Sequence, residues 1–175
     1  MKIVKTADFH RCVEMIAKAD RICIVGSMAS GCLASCLGYL LAKVFHPVDV
    51  LQGQGAMASS VCNNLTQNSL VFLIAFPRYP KETMELGHLA AQKGSKIIAI
   101  TNNTISPIAP LANLSFGDVY AAPMTFLTSL VIELNERNPE KSHRALKKFD
   151  EYASQTDLLV KLGVCYIPPE LKKEF

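Results

Sequence analysis

The stretch RICIVGSMASG, residues 21–31, decides the fold because it joins an apolar strand to a helix through a loop of small residues. The charge-free run that begins at Ile22 continues to Ala42 and is long enough to span a membrane. Small residues interrupt it early, namely Gly26, Ser27, Ser30 and Gly31. We therefore interpret the run as strand, loop and helix, expect no membrane contact, and expect a soluble, cytoplasmic protein.

Outward from this stretch, short apolar runs alternate with segments of helical periodicity, as in a parallel sheet covered on both faces. Strands are predicted at residues 21–25, 47–50, 70–75 and 96–100 and within 114–120. Helices are predicted at residues 8–18, 30–44, 56–65 and 81–93, and Gly94 is a natural cap for the last of these. We expect a three-layer α/β/α domain whose five-stranded parallel sheet has the flavodoxin-like order 2-1-3-4-5.

Apolar residues at helical spacing indicate which face of each helix packs against the sheet. In the second helix the predicted stripe is Leu33, Leu37, Leu40 and Val44, with Ala34 and Gly38 allowing close packing elsewhere. The final third is helical: Phe126, Leu127, Leu130, Val131 and Leu134 form one apolar face, and Asn138-Pro139 starts a last helix that carries Leu146, Phe149 and Tyr152. Residues 1–175 are interpreted as a single domain with a carboxyl-terminal tail at 163–175. Apolar faces on the late helices and on the first helix (Val13, Ile16, Ala17) predict at least a dimer.

Composition excludes several classes of protein. The chain has 175 residues, half of them apolar, and its 18 Lys and Arg against 15 Asp and Glu leave a charge of only +3. This balance argues against direct nucleic-acid contact. The six cysteines lie mostly in apolar runs, and the four histidines lack ligand spacing, so we expect free thiols and no metal. Met28 breaks the glycine spacing of a dinucleotide fingerprint, and no cofactor is expected.

The predicted strand order places a ligand beyond the carboxyl ends of strands one and three, where the order reverses. The first loop, residues 26–31, offers backbone amides and hydroxyls at a helix start. The second loop, residues 76–83, offers a guanidinium, a phenol, an ammonium and a hydroxyl. Together the loops suit a phosphate or another anion, although the first loop alone is also typical of a tight strand-to-helix turn.

Four segments in order carry a family resemblance, namely RICIVGSMASG (21–31), AFPRYPKET (75–83), GSKIIAIT (94–101) and SPIAPLA (106–112). Together they resemble a SIS (sugar isomerase) domain, and FPRY resembles in particular the sensory domain of RpiR-type transcription regulators. The resemblance implies binding of a phosphorylated sugar or amino sugar at the strand-end crevice. It also implies a homodimer or homotetramer built through helices, and a role as an isomerase or as an effector sensor.

The resemblance also implies site residues. Ser30 matches the first-loop serine that contacts the sugar phosphate. The full predicted binding set is Gly26, Ser27, Ser30, Gly31, Arg78, Tyr79, Thr83, Thr101 and Ser106. Two departures are evident, because Met28 replaces a common loop glycine and residues 76–80 replace the usual Ser-x-Ser-Gly-x-Thr cradle. Arg78 could replace those hydroxyls with a bidentate contact, or could be a solvated or interface arginine.

Isomerisation needs a general base, and the candidates are Glu82, Glu85, His88, Glu133 and His143. None of them has a diagnostic spacing, and each is more typical of an exposed helix face. We therefore predict no catalytic residue and favour a non-catalytic sensor. An isomerase and an oligomerisation scaffold stay as alternatives. An RpiR-type regulator would carry an amino-terminal helix-turn-helix domain, so the chain is either an effector domain of such a regulator or a stand-alone relative.

Overall fold

A five-stranded parallel sheet forms the centre of the molecule. The computed structural model describes residues 6–45, 47–53, 56–77, 79–102, 105–117, 123–140, 143–144, 147–148 and 151. The strands are β1 (Arg21–Val25), β2 (Val48–Leu51), β3 (Ser69–Ile74), β4 (Lys96–Ile100) and β5 (Leu114–Phe116). Their order is β2-β1-β3-β4-β5, with all neighbours parallel. The α/β fold and the strand order predicted from the sequence are confirmed.

Helices cover both faces of this sheet. They are α1 (Thr6–Lys18), α2 (Ser30–Ala42), α3 (Ala56–Asn63), α4 (Lys81–Gln92) and α5 (Pro123–Arg137), with a 3-10 turn at Ala109–Leu111. Side chains of α1, α2 and α5 form one core with the sheet, and those of α3 and α4 form a second core on the opposite face. Every residue of β3 is buried because the two cores meet there.

Several element boundaries differ from the prediction by one or two residues. The second strand begins at Val48 and not at Pro47, because proline has no amide hydrogen and only its carbonyl joins the ladder, where it accepts a bond from Ile22. Beyond α5, residues 139–140, 143–144, 147–148 and 151 are helical, as predicted for the last helix. The predicted apolar side of that helix, Leu146, Phe149 and Tyr152, and the tail at 163–175 lie outside the described residues.

The buried face of α2 includes only part of the predicted stripe, in which Leu37 and Val44 are buried as expected. Ala34, Leu37, Gly38 and Leu41 are buried, whereas Leu33 and Leu40 are only half-buried. A Cβ atom built on Gly38 would lie 2.2 Å from Val50 Cγ2. The helix therefore lies so close to the sheet that small residues must face it.

The apolar face of α1 is buried largely against other elements of the same chain. Val13 and Ile16 are fully buried in its own core, and Ala17 is exposed. Within the described residues, no helix combines the length and the apolar character that crossing a bilayer requires.

Candidate functional site

The loops after β1 and β3 meet at one crevice because these two strands are neighbours in the sheet. Ser27 from the first loop and Thr83 from the start of α4 lie with Oγ and Oγ1 3.3 Å apart. Both side chains are buried, at 2% and 0% exposure. The structure thus brings together two hydroxyls that lie 56 positions apart in the chain.

The first loop is a tight turn that leads directly into α2. The Ser30 amide donates to the Ser27 carbonyl and the Gly31 amide to the Met28 carbonyl, both at 3.0 Å. Gly26 is required by close packing, because a Cβ atom there would lie 2.8 Å from the Ser30 carbonyl oxygen. Met28 has a φ of 53°, a conformation that favours glycine, and its side chain is 80% exposed.

Ser30 is the first residue of α2, and its side chain is buried. The helix has no acidic residue in its first turn and no side-chain cap, so no carboxylate on its own first turn neutralises the positive end of its dipole. Gln52, just after β2, donates from Nε2 to the Gly31 carbonyl at 3.0 Å and to Ser35 Oγ. This contact ties the start of α2 to the neighbouring strand.

The second loop is hydrogen-bonded to the residues that follow β4. The Tyr79 hydroxyl donates to Asn102 Oδ1 at 2.6 Å, and Thr101 Oγ1 donates to the same oxygen at 3.3 Å. Tyr79 and Thr101 therefore form one network. Arg78, the guanidinium predicted for this loop, lies outside the described residues.

Two further predicted residues, Thr101 and Ser106, lie just beyond β4 and are buried at 0% and 2% exposure. The Thr101 amide donates to the Phe116 carbonyl, which fixes this end of β4 to β5. Ser106 Oγ has no hydrogen-bond partner within the described part of the chain. Among the described residues, no hydrogen bond joins Ser106 to the hydroxyls of Ser27 and Thr83.

Charged side chains line the mouth of the crevice. Met28, Pro80, Lys81, Glu82 and Glu85 border an open cavity of about 440 Å³. Lys81 Nζ lies 3.5 Å from Glu85 Oε1, and Glu82 Oε2 would lie 3.7 Å from a Cβ atom on Gly53. The Glu82 carboxylate therefore reaches across to the loop that follows β2.

The other candidate bases lie elsewhere. On α5, Glu133 Oε1 accepts from Arg137 Nε at 2.8 Å and lies 3.6 Å from His10 Nδ1. His88 and His143 are exposed. Among the described residues, no three His, Cys, Asp or Glu side chains cluster as metal ligands would.

Burial raises the pKa values of three thiols in the core. Burial raises the pKa of Cys23 to about 12, with a smaller contribution from Cys62. Burial likewise raises the pKa of Cys12 and of Cys62. Protonated, buried thiols of this kind are inert, which assigns these cysteines to the core.

Sequence reasoning missed two residues of this region, Gln52 and Asn102. Gln52 directly follows β2, Asn102 is the second residue after β4, and neither belongs to a motif. The available signal was position, because the carboxyl ends of all parallel strands lie along the same edge.

Comparison with known proteins places this architecture in a family. The family model described as SIS domain matches residues 15–131. The sugar isomerase domain of an RpiR transcription factor from Sphaerobacter thermophilus aligns with a TM-score of 0.77 and 24% identity over 84% of this chain and 87% of its own. Vibrio vulnificus NanR, solved with ManNAc-6P, aligns with a TM-score of 0.72 and 19% identity over 84% of this chain and 60% of its own.

A third similar structure comes from Methanococcus jannaschii, and its description infers 3-hexulose-6-phosphate isomerase activity for that protein. It aligns with a TM-score of 0.68 and 16% identity over 81% of this chain and 83% of its own. At these identities the three structures support the shared fold. The family model covers well over half of the residues and agrees with the four sequence segments and the strand order. The chain belongs to the SIS domain family.

Proposed function

We propose that this chain binds a phosphorylated sugar or amino sugar and acts as an effector-sensing domain of the RpiR type. The observation that carries the proposal is the meeting of the two loops, with Ser27 Oγ 3.3 Å from Thr83 Oγ1 beside the start of α2. Hydroxyls beside a helix amino end are suited to a phosphate, because they donate hydrogen bonds where the helix dipole is positive.

In this proposal, Ser30 and nearby backbone amides donate to the phosphate. The sugar then extends toward the mouth of the crevice, where the Glu82 carboxylate accepts from hydroxyl or ammonium groups and Met28 offers an apolar contact. The remaining predicted residues, Gly26 and Gly31 in the turn, Arg78, Tyr79 and Thr101 and Ser106 beyond β4, complete the proposed site.

Sensing is favoured over isomerisation because two of the carboxylates that could act as the general base form ion pairs with neighbouring cations. Glu85 lies 3.5 Å from Lys81, and Glu133 is held by Arg137 on α5. The neighbours support both activities: one is an RpiR factor, one was solved with ManNAc-6P, and one is described as a hexulose-phosphate isomerase. Isomerase is therefore the second candidate, carried by Glu82 at the crevice mouth.

A ligand screen tests the proposal. Phosphorylated sugars and amino sugars are added to the chain, and thermal stability is measured, because a ligand that binds the native state raises the apparent Tm. A sensor gives a stabilising ligand without turnover, whereas an isomerase also converts it. If no compound of the panel shifts the Tm, the crevice does not bind phosphosugars and an oligomerisation scaffold is favoured.

Ser30→Ala then tests the placement of the phosphate. Loss of one hydrogen bond to a charged group weakens binding by about 1.5 to 3 kcal/mol. Ser129→Ala is the matched control, since the hydroxyl of that half-buried serine on α5 bonds only the Thr125 carbonyl in the described structure. Arg78→Lys keeps the charge and weakens binding if the guanidinium grips the ligand with both nitrogens. Unchanged affinity in Ser30→Ala and Arg78→Lys would show that the phosphate lies elsewhere.

A further inference from the structure

A second cavity lies at the opposite edge of the sheet from the crevice. It encloses about 300 Å³ between the end of α1 and the amino ends of β3 and β4, a volume at the lower end of the range for small-molecule sites. The lining residues that matter for its chemistry are Arg11, Met15, Lys18, Asn68, Lys96 and Asn113. The parallel strands separate this cavity from the crevice by their full length.

The charge of this cavity has one sign. Three of its lining residues are cationic, Arg11, Lys18 and Lys96, and none of the described residues that line it is Asp or Glu. Lys18 lies 4.0 Å from Glu14 one turn earlier on α1, an exposed pair of little energetic weight. Within the described part of the chain, Arg11 and Lys96 form no ion pair. A concave surface lined by one sign of charge concentrates counter-ions.

The polar wall of the cavity is held in place by hydrogen bonds. In the turn before β3, Ser69 Oγ accepts from the Thr66 amide at 3.0 Å, and Ser95 Oγ donates to the Thr66 carbonyl at 2.8 Å. The Asn68 carbonyl accepts from the Asp20 amide at 3.1 Å, which ties this turn to the end of α1. The wall is therefore formed before a ligand arrives.

Asn113 adds a donor of fixed orientation. Its Oδ1 accepts from the Ile97 amide at 2.8 Å, so its Nδ2 group is the part left to donate at the cavity wall. Two cations without carboxylate partners and an oriented amide donor are the groups that recognise a multiply charged anion. Lys18 also offsets the partial negative charge at the carboxyl end of α1.

We propose that this cavity is a second ligand site, which binds a compact polyanion of the diphosphate class. Arg11 and Lys96 hold the charged oxygens, Asn113 donates to one of them, and Met15 and Leu70 provide an apolar floor. The proposal does not depend on the ligand of the crevice, because the two sites share no residue.

The site is tested by titrating the protein with inorganic pyrophosphate and measuring the heat of binding by calorimetry at fixed ionic strength. We expect saturable binding, and we expect the double variant Arg11→Gln, Lys96→Gln to weaken it by about tenfold or more, or roughly 1.4 kcal/mol. The matched control is Lys93→Gln, Lys147→Gln, which removes the same charge from exposed positions outside the cavity. Circular dichroism verifies that both double variants are folded.

Three results would overturn the proposal. The first is the absence of saturable binding, and the second is an equal loss in the control variant, which would mean that net charge alone attracts the ion. The third is a loss of pyrophosphate binding in Ser30→Ala, which would place the ion in the crevice. Unchanged binding in Ser30→Ala supports the second site whether or not a phosphosugar is found for the first.

Discussion

At the scale of one residue, Met28 has a strained backbone conformation in the first loop. Its φ of 53° lies in the left-handed region, where a Cβ atom costs about 1 to 2 kcal/mol. Its side chain is 80% exposed, so little packing compensates for that cost. Strained residues of this kind concentrate at binding sites, and this one borders the crevice.

Substitutions at Met28 are therefore predicted to change stability in opposite directions. Met28→Gly removes the steric strain and is expected to raise the free energy of unfolding by up to about 1 kcal/mol, the gain being reduced by the entropy of the unfolded chain. Met28→Val places a β-branched residue in the same conformation and is expected to cost about 1 to 2 kcal/mol. Urea denaturation measures both, and equal stabilities for the two variants would contradict the strain.

At the scale of one element, α2 is defined by how closely it approaches the sheet. Ala34 and Gly38 lie on its buried face, and a methyl group on Gly38 would overlap the Val50 side chain. Because the side chains on this face are small, the backbone of α2 lies close to the neighbouring strand. The start of the helix, which carries Ser30, depends on the same placement.

Gly38→Ala is predicted to destabilise the fold by about 1 to 3 kcal/mol through overpacking, despite the higher helix propensity of alanine. The measurement is thermal or urea unfolding. In a Val50→Ala background the overlapping Cγ2 atom is absent, so the same substitution is expected to cost less than half as much. If Gly38→Ala lowers the free energy of unfolding equally in the two backgrounds, the contact with Val50 does not cause the loss.

The sequence predicted the elements better than their faces. The runs at residues 21–25 and 96–100 form strands with the predicted bounds, because buried parallel strands are continuous apolar segments bounded by turn residues. The predicted stripe of α2 is right at Leu37 and wrong in favouring Leu33 and Leu40 over Ala34 and Gly38. Ranking residues by hydrophobicity favours leucine, whereas a short distance between helix and sheet selects alanine and glycine. Gln52 and Asn102 were missed because their roles depend on strand register and not on any local pattern.

At the scale of the whole molecule, the buried thiols couple folding to pH. Unfolded thiols titrate near 9.0, whereas burial raises the native pKa of Cys12 and of Cys23, the latter to about 12. Above pH 9 the unfolded state therefore binds fewer protons than the native state. The stability that these thiols provide is complete below that pH and decreases as the pH rises through 9 toward the native value.

The free energy of unfolding is accordingly expected to decrease by about 1.4 kcal/mol per pH unit for each buried thiol above pH 9. Urea denaturation between pH 7.5 and 10.5 measures this slope. Because other groups titrate in the same range, the test is the difference between the parent and Cys23→Ala, whose slope is expected to be shallower. Cys32→Ala, which removes a thiol from an exposed position, serves as the control.

Self-association remains a prediction at this scale. The structure buries Val13 and Ile16 within the chain, so the expectation now depends on other apolar groups. Tyr39 on α2 and Ile132 on α5 are 57% and 52% exposed, and their helices pack against each other. Light scattering is expected to show at least a dimer at micromolar concentration, and a stable monomer would contradict this.

The 56 positions between Ser27 and Thr83 have a consequence for how the protein is made. During synthesis β1 emerges first, and its pairing with β3 must wait until α2, β2 and α3 have left the ribosome. The closure of so long a loop is entropically costly, and the pocket exists only once it is complete. A ligand that contacts both loops would therefore recognise only chains in which β1 and β3 are already paired, and it would stabilise the last stage of folding.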